Sequence, residues 1–530
     1  MAKSGVILCE CHGMISNRLS FSGVSQFLGQ REPEVGVLVC DDICRSKNVE
    51  AIARDRGWSS VVIGACSRAI KPVRFWEEVG DDGYDPYAIR VVDLLKEIET
   101  SYSETETIDR AKLLLLAQIK RVGAFEGIRQ ENLKLHFGDN SKRMNRRRLL
   151  SMTLPHYEVI PFINLSKCAS QHGCHICVDA CPIGAIVVEE QRITVDMSKC
   201  RACGACAVIC PHHAISYPTF SVEELASEIE GLLASEAPSL EPRIIAMVCQ
   251  GCLADFDRKR EGSIRYPSNV LPLKVTCLAM VSSWLMLHAF HRNAQGIVLV
   301  SAKGKCPSGF GSETWQENIG FVQELLSCWN VEPQRIKQIQ VEESNTKCIQ
   351  QQLGEFAENI VSLPRVVLGQ YKSTEYHSGE LSLSKLIESL GAGSTCCAKD
   401  IISTGNVPFG MVTLNTSQCT ACGLCVLNCP AEALTIYSTD EESGMHQLLF
   451  RHEQCIACHR CVESCPENCI SVKHVLDLSQ LGSSPKLLME YSLLRCSKCE
   501  MPLGPLPMID KIGRGELCPN CAIRAELSLA

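Results

Sequence analysis

The sequence predicts a multidomain protein of mixed α/β and α+β class, with two small parallel-sheet α/β domains, two cysteine-rich modules and a cysteine-rich C-terminal segment. Its 530 residues, of which 45% are hydrophobic, are enough for three or four domains. Two regions alternate strand-like apolar runs with helical patterns, as the chain does in parallel sheets. Between and after these regions, cysteines recur at short and regular intervals.

The cysteines from residue 419 to residue 465 form two complete runs of one spacing. The first run reads Cys-Thr-Ala-Cys-Gly-Leu-Cys-Val-Leu-Asn-Cys-Pro, and the second reads Cys-Ile-Ala-Cys-His-Arg-Cys-Val-Glu-Ser-Cys-Pro. In bacterial ferredoxins with two [4Fe–4S] clusters, this spacing lets three cysteines of a run bind one cluster and the fourth bind the other. A zinc site or buried free thiols would not require two complete tandem runs. The spacing predicts a 2[4Fe–4S] ferredoxin module with two ligand sets: Cys419, Cys422, Cys425 and Cys465, and Cys455, Cys458, Cys461 and Cys429.

An upstream segment repeats this pattern with one irregularity. The run from Cys200 to Cys210 keeps the spacing, whereas the first gap of the companion run has grown to five residues, Ala-Ser-Gln-His-Gly. The insertion is tolerated if it bulges outward; if it spoils the site, one cluster is lost. The same crossing rule predicts the ligand sets Cys168, Cys174, Cys177 and Cys210, and Cys200, Cys203, Cys206 and Cys181.

The composition narrows the class of protein. The 34 cysteines fit either an extracellular disulfide scaffold or a metal-loaded intracellular protein. The tandem runs favour the metal-loaded protein. We expect no signal peptide before the strand-like segment Gly5–Leu8. The window Val275–Phe290 is too short and too polar to span a bilayer. A net charge of −8 gives no reason to expect nucleic acid as a partner. We therefore expect a cytoplasmic protein without a transmembrane segment.

Residues 5–100 contain three strand-like segments, and each is followed by cysteine. Strands are expected at Gly5–Leu8, Gly36–Val39 and Ser60–Ile63, and helices at Val49–Asp55 and Tyr87–Ile98. Parallel strands bring their carboxyl ends to one edge of a sheet, where such folds place their sites. The candidate ligands at that edge are Cys9, Cys11, Cys40, Cys44 and Cys66.

Two motifs in this region resemble the N-terminal domain of the heterodisulfide reductase A subunit: Cys-Glu-Cys-His-Gly from Cys9, and Gly-Ala-Cys-Ser-Arg around Cys66. The resemblance implies a further [4Fe–4S] cluster here; the alternative is a group of buried free thiols. The A subunit carries its flavin in a large domain that follows, and residues 121–167 are too few to hold one. Gly391-Ala-Gly-Ser is the nearest approach to a dinucleotide-binding motif, and it lacks the third glycine. We expect no FAD.

The region after the first module repeats the arrangement of strands that end in cysteine. Strands are expected at Ile244–Val248, Leu273–Thr276 and Gly296–Val300. They deliver four thiols, and on spacing alone a zinc site and an iron–sulfur site are equally acceptable. The candidate ligands are Cys249, Cys252, Cys277 and Cys306.

Four motifs here resemble the delta subunit of methyl-viologen-reducing hydrogenase: Arg265-Tyr-Pro-Ser-Asn-Val, Lys274-Val-Thr-Cys, Ala294-Gln-Gly-Ile-Val-Leu-Val and Gly304-Lys-Cys. The resemblance covers residues 244–342. It implies a [2Fe–2S] cluster and a role in passing electrons between a hydrogenase or formate dehydrogenase and heterodisulfide reductase. The family's usual cysteine just before the Gly-x-Cys motif is absent.

The chain closes with two Cys-x-x-Cys knuckles separated by eighteen residues. Two such knuckles on a short segment predict a zinc-ribbon-like site, with another iron–sulfur cluster as the alternative. Its ligands are Cys496, Cys499, Cys518 and Cys521. The cysteines left without a role are expected to be buried thiols: Cys328, Cys348, Cys396, Cys397 and Cys469.

The expected division of the chain is an A-subunit-like α/β domain (1–135), a ferredoxin domain (136–235), a delta-subunit-like domain (236–345), a linker (346–408), a second ferredoxin domain (409–480) and a zinc-ribbon-like end (481–530). The expected cofactors are four [4Fe–4S] clusters, one [2Fe–2S] cluster, the further N-terminal cluster and zinc.

The cysteine sets make the chain an expected electron-transfer subunit of an anaerobic redox complex. Electrons would enter from a hydrogenase, formate dehydrogenase or flavoprotein, and leave toward a heterodisulfide reductase or benzoyl-CoA reductase. Two alternatives are a catalytic oxidoreductase with an open cluster near Cys9–Cys66, and a redox sensor. The sixteen ferredoxin cysteines are more than a sensor needs.

Overall fold

The computed structural model describes residues 4–41, 43, 49–66, 88–100, 103–127, 133–136, 156–159, 161–190, 192–235, 237–249, 266–302, 313–341, 346–368, 382–391, 401–403, 407–440, 444–513 and 515–527. Two parallel four-stranded sheets, one antiparallel four-stranded sheet and several two-stranded ribbons are formed there. Across these ranges, every helix falls short of the length and apolar character needed to cross a membrane.

The N-terminal sheet is parallel and has the strand order β2-β1-β3-β4. Its strands are β1 (Ser4–Cys9), β2 (Gly36–Cys40), β3 (Ser60–Ala65) and β4 (Ile89–Asp93). Its helices are α1 (Phe21–Arg31), α2 (Val49–Asp55), α3 (Leu94–Thr100) and α4 (Glu104–Gly123). The helix expected over residues 87–98 is wrong in its first half, because the β-branched run of Ile89, Val91 and Val92 extends as an edge strand beside β3.

The first ferredoxin module is built from short antiparallel pairs. Strand β5 (Leu133–His136) pairs antiparallel with β6 (His156–Val159), and β8 (Ile186–Glu189) forms a hairpin with β9 (Arg192–Val195). The ends of the module meet where β7 (Phe162–Ile163) pairs with β10 (Ile215–Ser216). One helical turn follows each ligand loop: α5 (Ile176–Asp179) and α6 (Ala205–Ile209).

Helix α7 (Val222–Leu232) connects this module to the N-terminal domain. Ser221 and Glu224 form the expected capping box at its start. The helix crosses α4 closely, because a Cβ on Gly231 would come within 2.3 Å of the backbone of Ala117. A buried ion pair between Arg121 of α4 and Glu228 of α7 lies in the same contact.

The middle sheet is parallel and has the order β12-β11-β13-β14. Its strands are β11 (Ile244–Cys249), β12 (Val270–Val275), β13 (Gly296–Ala302) and β14 (Ile336–Val341). Its helices are α8 (Ser283–His291), α9 (Glu313–Cys328) and α10 (Thr346–Ser362). Helix α10 lies in the segment expected to be a linker, and it packs Leu353 and Phe356 into the core of the middle sheet. The packed unit therefore continues past residue 345.

The second ferredoxin module and the C-terminal segment share a sheet. The module pairs β16 (Gly410–Leu414) with β19 (Ile470–His474), and β15 (Ile401–Ile402) with β20 (Leu476–Asp477). Its hairpin, β17 (Leu434–Asp440) and β18 (Met445–Phe450), is extended by β21 (Lys486–Arg495) and β22 (Pro502–Pro505). The helices are α11 (Leu383–Gly391), α12 (Leu424–Leu427), α13 (Arg460–Glu463), α14 (Leu506–Ile512) and α15 (Pro519–Leu527).

One continuous hydrophobic core joins the N-terminal sheet, helices α4 and α7, the middle sheet and α11. Arg110 of α4 ties this core together. It is fully buried, pairs with Glu97, and donates to the carbonyl oxygens of Ser268 and Val270 in the middle region. Because a buried charge must be paired, this contact fixes the N-terminal domain on the middle domain.

Candidate functional site

Five cysteines of the second module line one apolar cavity, and four of them form one of the predicted ligand sets. Three of them come from the first run, and Cys465 comes from the end of the second run; the set is Cys419, Cys422, Cys425 and Cys465. Apolar side chains such as Leu414 and Ile436 complete the wall. The structure therefore brings together the cysteines that the crossing rule grouped into one set.

The other set of this module also lies together. Burial raises the pKa of Cys455 to about 12, and the neighbouring thiols of Cys429 and Cys458 add to the increase. Burial also raises the pKa of Cys461 to about 12, with further contributions from the thiols of Cys455, Cys429, Cys458 and Cys425. Thiols crowded in an apolar site resist ionisation unless a cation compensates their charge.

The upstream module repeats both arrangements. One cavity is lined by Cys168, Cys174, Cys177 and Cys210, together with Ile163 and Ile193. In the second set, burial raises the pKa of Cys203 to about 11, with further contributions from the nearby thiols of Cys181 and Cys200. The neighbours of Cys206 are Cys203, Cys200, Cys177 and Cys181.

The ligand loops have a backbone that suits metal-bound sulfur. Ala202, Ala421 and Ala457, which precede the second cysteine of their runs, have φ between +51° and +55°. Backbone N–H groups donate to the sulfurs of the fourth cysteines: Ala185 to Cys181 (3.2 Å), Ala214 to Cys210 (3.4 Å) and Ala433 to Cys429 (3.3 Å). Such bonds favour thiolate and tune the potential of iron–sulfur clusters, so the residues present fit [4Fe–4S].

Cys469, which the ligand spacing left without a role, also lies at this site. Its sulfur is 3.5 Å from that of Cys465, and it lines the same cavity as Cys419. It occupies the position that Ala185, Ala214 and Ala433 hold after the fourth cysteine of the other runs. That exception to a repeated alanine is the signal that could have found it.

The five-residue gap of the irregular run forms a short 3₁₀ helix, Ala169–His172, which ends at Gly173 with φ +80°. The insertion leaves the cavity of Cys168, Cys174, Cys177 and Cys210 in place. Gly173 faces the second module: a Cβ at this position would lie 3.5 Å from Asn428 Oδ1.

Four of the five N-terminal candidates meet at the carboxyl edge of the sheet; Cys44 lies outside the described residues. Cys11 donates to Cys9 across 3.4 Å between sulfurs, and the bond from Cys40 lowers the pKa of Cys9 to about 5. Cys66 hydrogen-bonds with Cys11, whose pKa is raised mainly by burial. A cysteine with a lowered pKa among neighbouring thiols is typical of a metal site, whereas inert buried cysteines have raised pKa values.

In the middle domain, Cys249 ends β11 and Cys277 follows β12, so both lie at the carboxyl edge of that sheet. Cys252 and Cys306 lie outside the described residues. The turn after Cys277 reaches the upstream module, where Met280 is buried against Ala202 and Tyr217.

The C-terminal knuckles come together in space. The sulfurs of Cys496, Cys499, Cys518 and Cys521 all lie within 4.8 Å of one another. Two of these sulfurs also accept backbone bonds, Cys496 from Cys518 N and Cys518 from Cys521 N. The bond from Cys518 is the largest cause that lowers the pKa of Cys496, to about 6. Four thiols in this arrangement fit a tetrahedral metal ion.

Of the cysteines without a predicted role, Cys328 is buried at the end of α9. Cys396 and Cys397 lie outside the described residues, and Cys348 lies in α10.

Three family matches agree with the motifs. Residues 244–364 match the family "methyl-viologen-reducing hydrogenase, delta subunit", residues 418–469 match "4Fe-4S dicluster domain", and residues 193–216 match "4Fe-4S binding domain". The delta-subunit match reaches past residue 345 and includes α10.

Individual relatives give the same picture. The A subunit of the ferredoxin:CoB-CoM heterodisulfide reductase of Methanosarcina mazei is 23% identical over 190 residues, which are 36% of this chain and 24% of that protein. The iron-sulfur D subunit of the F420-non-reducing hydrogenase vhc of Methanococcus voltae is 24% identical over 102 residues, 19% of this chain and 71% of the relative. A ferredoxin of Alicyclobacillus acidocaldarius is 33% identical over 70 residues, 13% of this chain and 88% of the relative.

The chain spans about a quarter of the length of the heterodisulfide reductase A subunits that it matches. It covers most of the length of the ferredoxin relative at 33% identity. Both resemblances expected from the motifs are confirmed by the matches. The chain therefore belongs to the [4Fe–4S] ferredoxin family, fused to a domain of the hydrogenase delta-subunit family and related to the heterodisulfide reductase A subunit.

Proposed function

We propose that the chain is an iron–sulfur electron-transfer subunit of a redox complex. The observation that carries this function is the pairing of each three-cysteine loop with the fourth cysteine of its companion run, as in the cavity of Cys419 and Cys465. Bound [4Fe–4S] clusters supply reversible one-electron chemistry at such sites. The protein's own part is to hold the thiolates, exclude water and keep the four sets at fixed positions.

We propose four [4Fe–4S] sites with the ligands that the crossing rule groups together. The support is mutual proximity, burial and the N–H bonds to sulfur at Cys181, Cys210 and Cys429. For the N-terminal edge we propose a further [4Fe–4S] cluster at Cys9, Cys11, Cys40, Cys44 and Cys66. The thiolate character of Cys9 and the contacts among its neighbours support it.

For the middle domain we propose a [2Fe–2S] cluster held by Cys249, Cys252, Cys277 and Cys306. Its support is the delta-subunit family and the position of Cys249 and Cys277 at one sheet edge. For the C-terminal quartet we propose structural zinc, because four sulfurs within 4.8 Å fit a closed tetrahedral site on a short, two-knuckle segment.

The proposed partners rest on the similarity to the hydrogenase delta-subunit family and to the heterodisulfide reductase A subunit. We propose that a hydrogenase, formate dehydrogenase or flavoprotein docks at the middle domain, and that a heterodisulfide reductase-like or benzoyl-CoA reductase-like protein exchanges electrons at another module. We further propose the reducing cytoplasm as the compartment, because thiolates at this density need protection from oxidation. The proposed domain boundaries are those expected from the sequence, with the middle domain extended to residue 364.

A reductive titration tests this function. The anaerobically reconstituted chain, titrated with dithionite under electron paramagnetic resonance, is expected to accept about six electrons. Four belong to the proposed [4Fe–4S] clusters of the ferredoxin modules, one to the [2Fe–2S] cluster and one to the proposed N-terminal cluster. A variant with Cys422→Ser and Cys458→Ser is the control and should accept about two fewer. Uptake of one electron or none by the iron-loaded chain would contradict the relay.

A further inference from the structure

Arg460 lies at a contact between the two ferredoxin modules. It lies between two candidate ligands, Cys458 and Cys461, directly after His459, whose backbone is left-handed. Its Nη2 donates to Asp179 Oδ2 of the upstream module at 3.0 Å, across 281 residues of sequence. Its Nη1 donates to Glu463 Oε2 at 2.9 Å within α13. The guanidinium therefore spans from one module to the other.

A second contact lies beside the first. The insertion of the upstream run ends at Gly173, and a Cβ there would come within 3.5 Å of Asn428 Oδ1. Gly173 immediately precedes the candidate ligand Cys174, and Asn428 immediately precedes the candidate ligand Cys429. Asn428 is itself held by a bond from its Nδ2 to the carbonyl oxygen of Leu424. The two ligand segments are therefore neighbours at Gly173 and Asn428.

The cysteines behind these contacts belong to one set from each module. Cys174 shares its cavity with Cys168, Cys177 and Cys210. Cys174 directly follows Gly173, which lies beside Asn428, and Cys458 lies two residues before Arg460, which reaches Asp179. The two contacts therefore bring these two sets next to each other across the junction.

We propose that this junction is where electrons cross between the ferredoxin modules, and that Arg460, paired with Asp179, is the positioning residue that keeps the two cysteine sets adjacent. The proposal rests on the proposed relay function and specifies its internal order. It also gives the lengthened gap Ala169–Gly173 a role, because its last residue lies beside Asn428. One electron leaves one module and enters the other, so that one is oxidised as the other is reduced, and no bond or proton moves.

The pair is well suited to a docking contact. The Arg460 side chain is 17% exposed and fixed by two carboxylates, whereas Asp179 is 69% exposed. An ion pair of this exposure changes an equilibrium only modestly, so its loss should shift the docked-to-undocked ratio by about two- to fivefold without unfolding either module. Reversal of one charge adds repulsion to that loss.

The test uses the full reconstituted chain reduced with dithionite. Arg460→Glu should lower the docked-to-undocked ratio by about two- to fivefold or more, and the spin–spin interaction between the modules should weaken with it. Cys458→Ser calibrates the measurement, because loss of its cluster removes the inter-module interaction together with the coupling to the other cluster of its own module. The double variant Arg460→Glu with Asp179→Arg restores the pair with exchanged charges and should restore the interaction. Spin–spin interaction depends on distance, so a mere change of cluster potential would not reproduce this pattern.

Glu463→Gln is the matched control, because it removes the negative charge beside Arg460 within α13 and leaves Asp179 in place. If Arg460→Glu loses iron, Asp179→Arg applies the same repulsion from the other module, away from Cys458 and Cys461. An unchanged interaction in an iron-replete Arg460→Glu or Asp179→Arg chain, or no recovery in the double variant, overturns the junction. The relay itself would fail differently, as low iron content in the unsubstituted chain.

Discussion

Met280 of the middle domain lies directly against Gly204 of the upstream ferredoxin module, where a Cβ would meet Met280 Cγ at 2.7 Å. Gly204 follows the candidate ligand Cys203, and Met280 stands three residues after the candidate ligand Cys277. Thr276 donates to Met280 Sδ at 2.7 Å and fixes the side chain from its own loop. The contact joins the two ligand loops without an intervening residue.

Gly204→Ala should therefore disrupt the contact between these loops. Gly204 has φ +76°, and an added methyl group would also overlap the buried Met280. Strain and overlap together should lower the free energy of unfolding by about 2–5 kcal/mol, which a denaturant titration of the full chain measures.

Gly423→Ala separates the two causes. Gly423 holds the same loop position in the second module with φ +77°, but its nearest neighbour, Ile436, would lie at an ordinary 3.6 Å from the Cβ. In Gly423→Ala the free energy of unfolding should fall only by the cost of the left-handed backbone, about 1–2 kcal/mol. Equal losses in both variants would show that Met280 does not press on Gly204.

Cys429→Ser should disturb the remote cluster of its module first. Cys429 lies beside Cys455 and Cys458, so its replacement removes one ligand of that set. Paramagnetic resonance and iron content of the variant are expected to show the site of Cys455 altered and the site of Cys419 retained. The reverse pattern would refute crossing ligation.

Cys277→Ser should remove one cluster from the middle domain. We expect the reduced full chain to show a rhombic spin-half signal of a binuclear cluster, and the variant to lack it while the ferredoxin signals persist. Cys328→Ser is the control, since that buried cysteine lies on α9 and belongs to no candidate ligand set. A middle domain that carries zinc in place of this signal would contradict the [2Fe–2S] assignment.

Cys518→Ser should remove one zinc ion per chain and leave the iron content unchanged. Cys518 is buried and its N–H and sulfur both bond within the quartet, so a serine there breaks the tetrahedral set. Because β21 and β22 continue the ferredoxin sheet, we expect the module to stay folded. Loss of iron in place of zinc would favour the iron–sulfur alternative at this site.

Local patterns in the sequence were enough for much of the site. Ligand spacing is local, so it grouped the cysteines that the structure brings together, and strand-then-cysteine order placed Cys249 and Cys277 at one edge. Which metal each set binds stays a prediction. Long-range contacts carry no such local signal: Arg460 and Asp179 are 281 residues apart, and β21 joins the ferredoxin hairpin from beyond the module's expected end.

The misplaced elements have local causes as well. The β-branched content of Ile89–Asp93 outweighed the helical spacing that favoured a helix. Helix α10 lies in a polar segment, but its apolar positions Ile349, Leu353 and Phe356 recur on one face and cover the middle sheet.

Iron and acid-labile sulfide content of the full, anaerobically reconstituted chain tests the relay most directly. Four [4Fe–4S] clusters and one [2Fe–2S] cluster require about 18 iron atoms and as many sulfides per chain, with about four more of each if the N-terminal cysteines bind a cluster. We predict a value in that range, with one zinc ion besides. Fewer than about ten iron atoms per chain would contradict the relay, because at least two of the proposed cubane sites would then be empty.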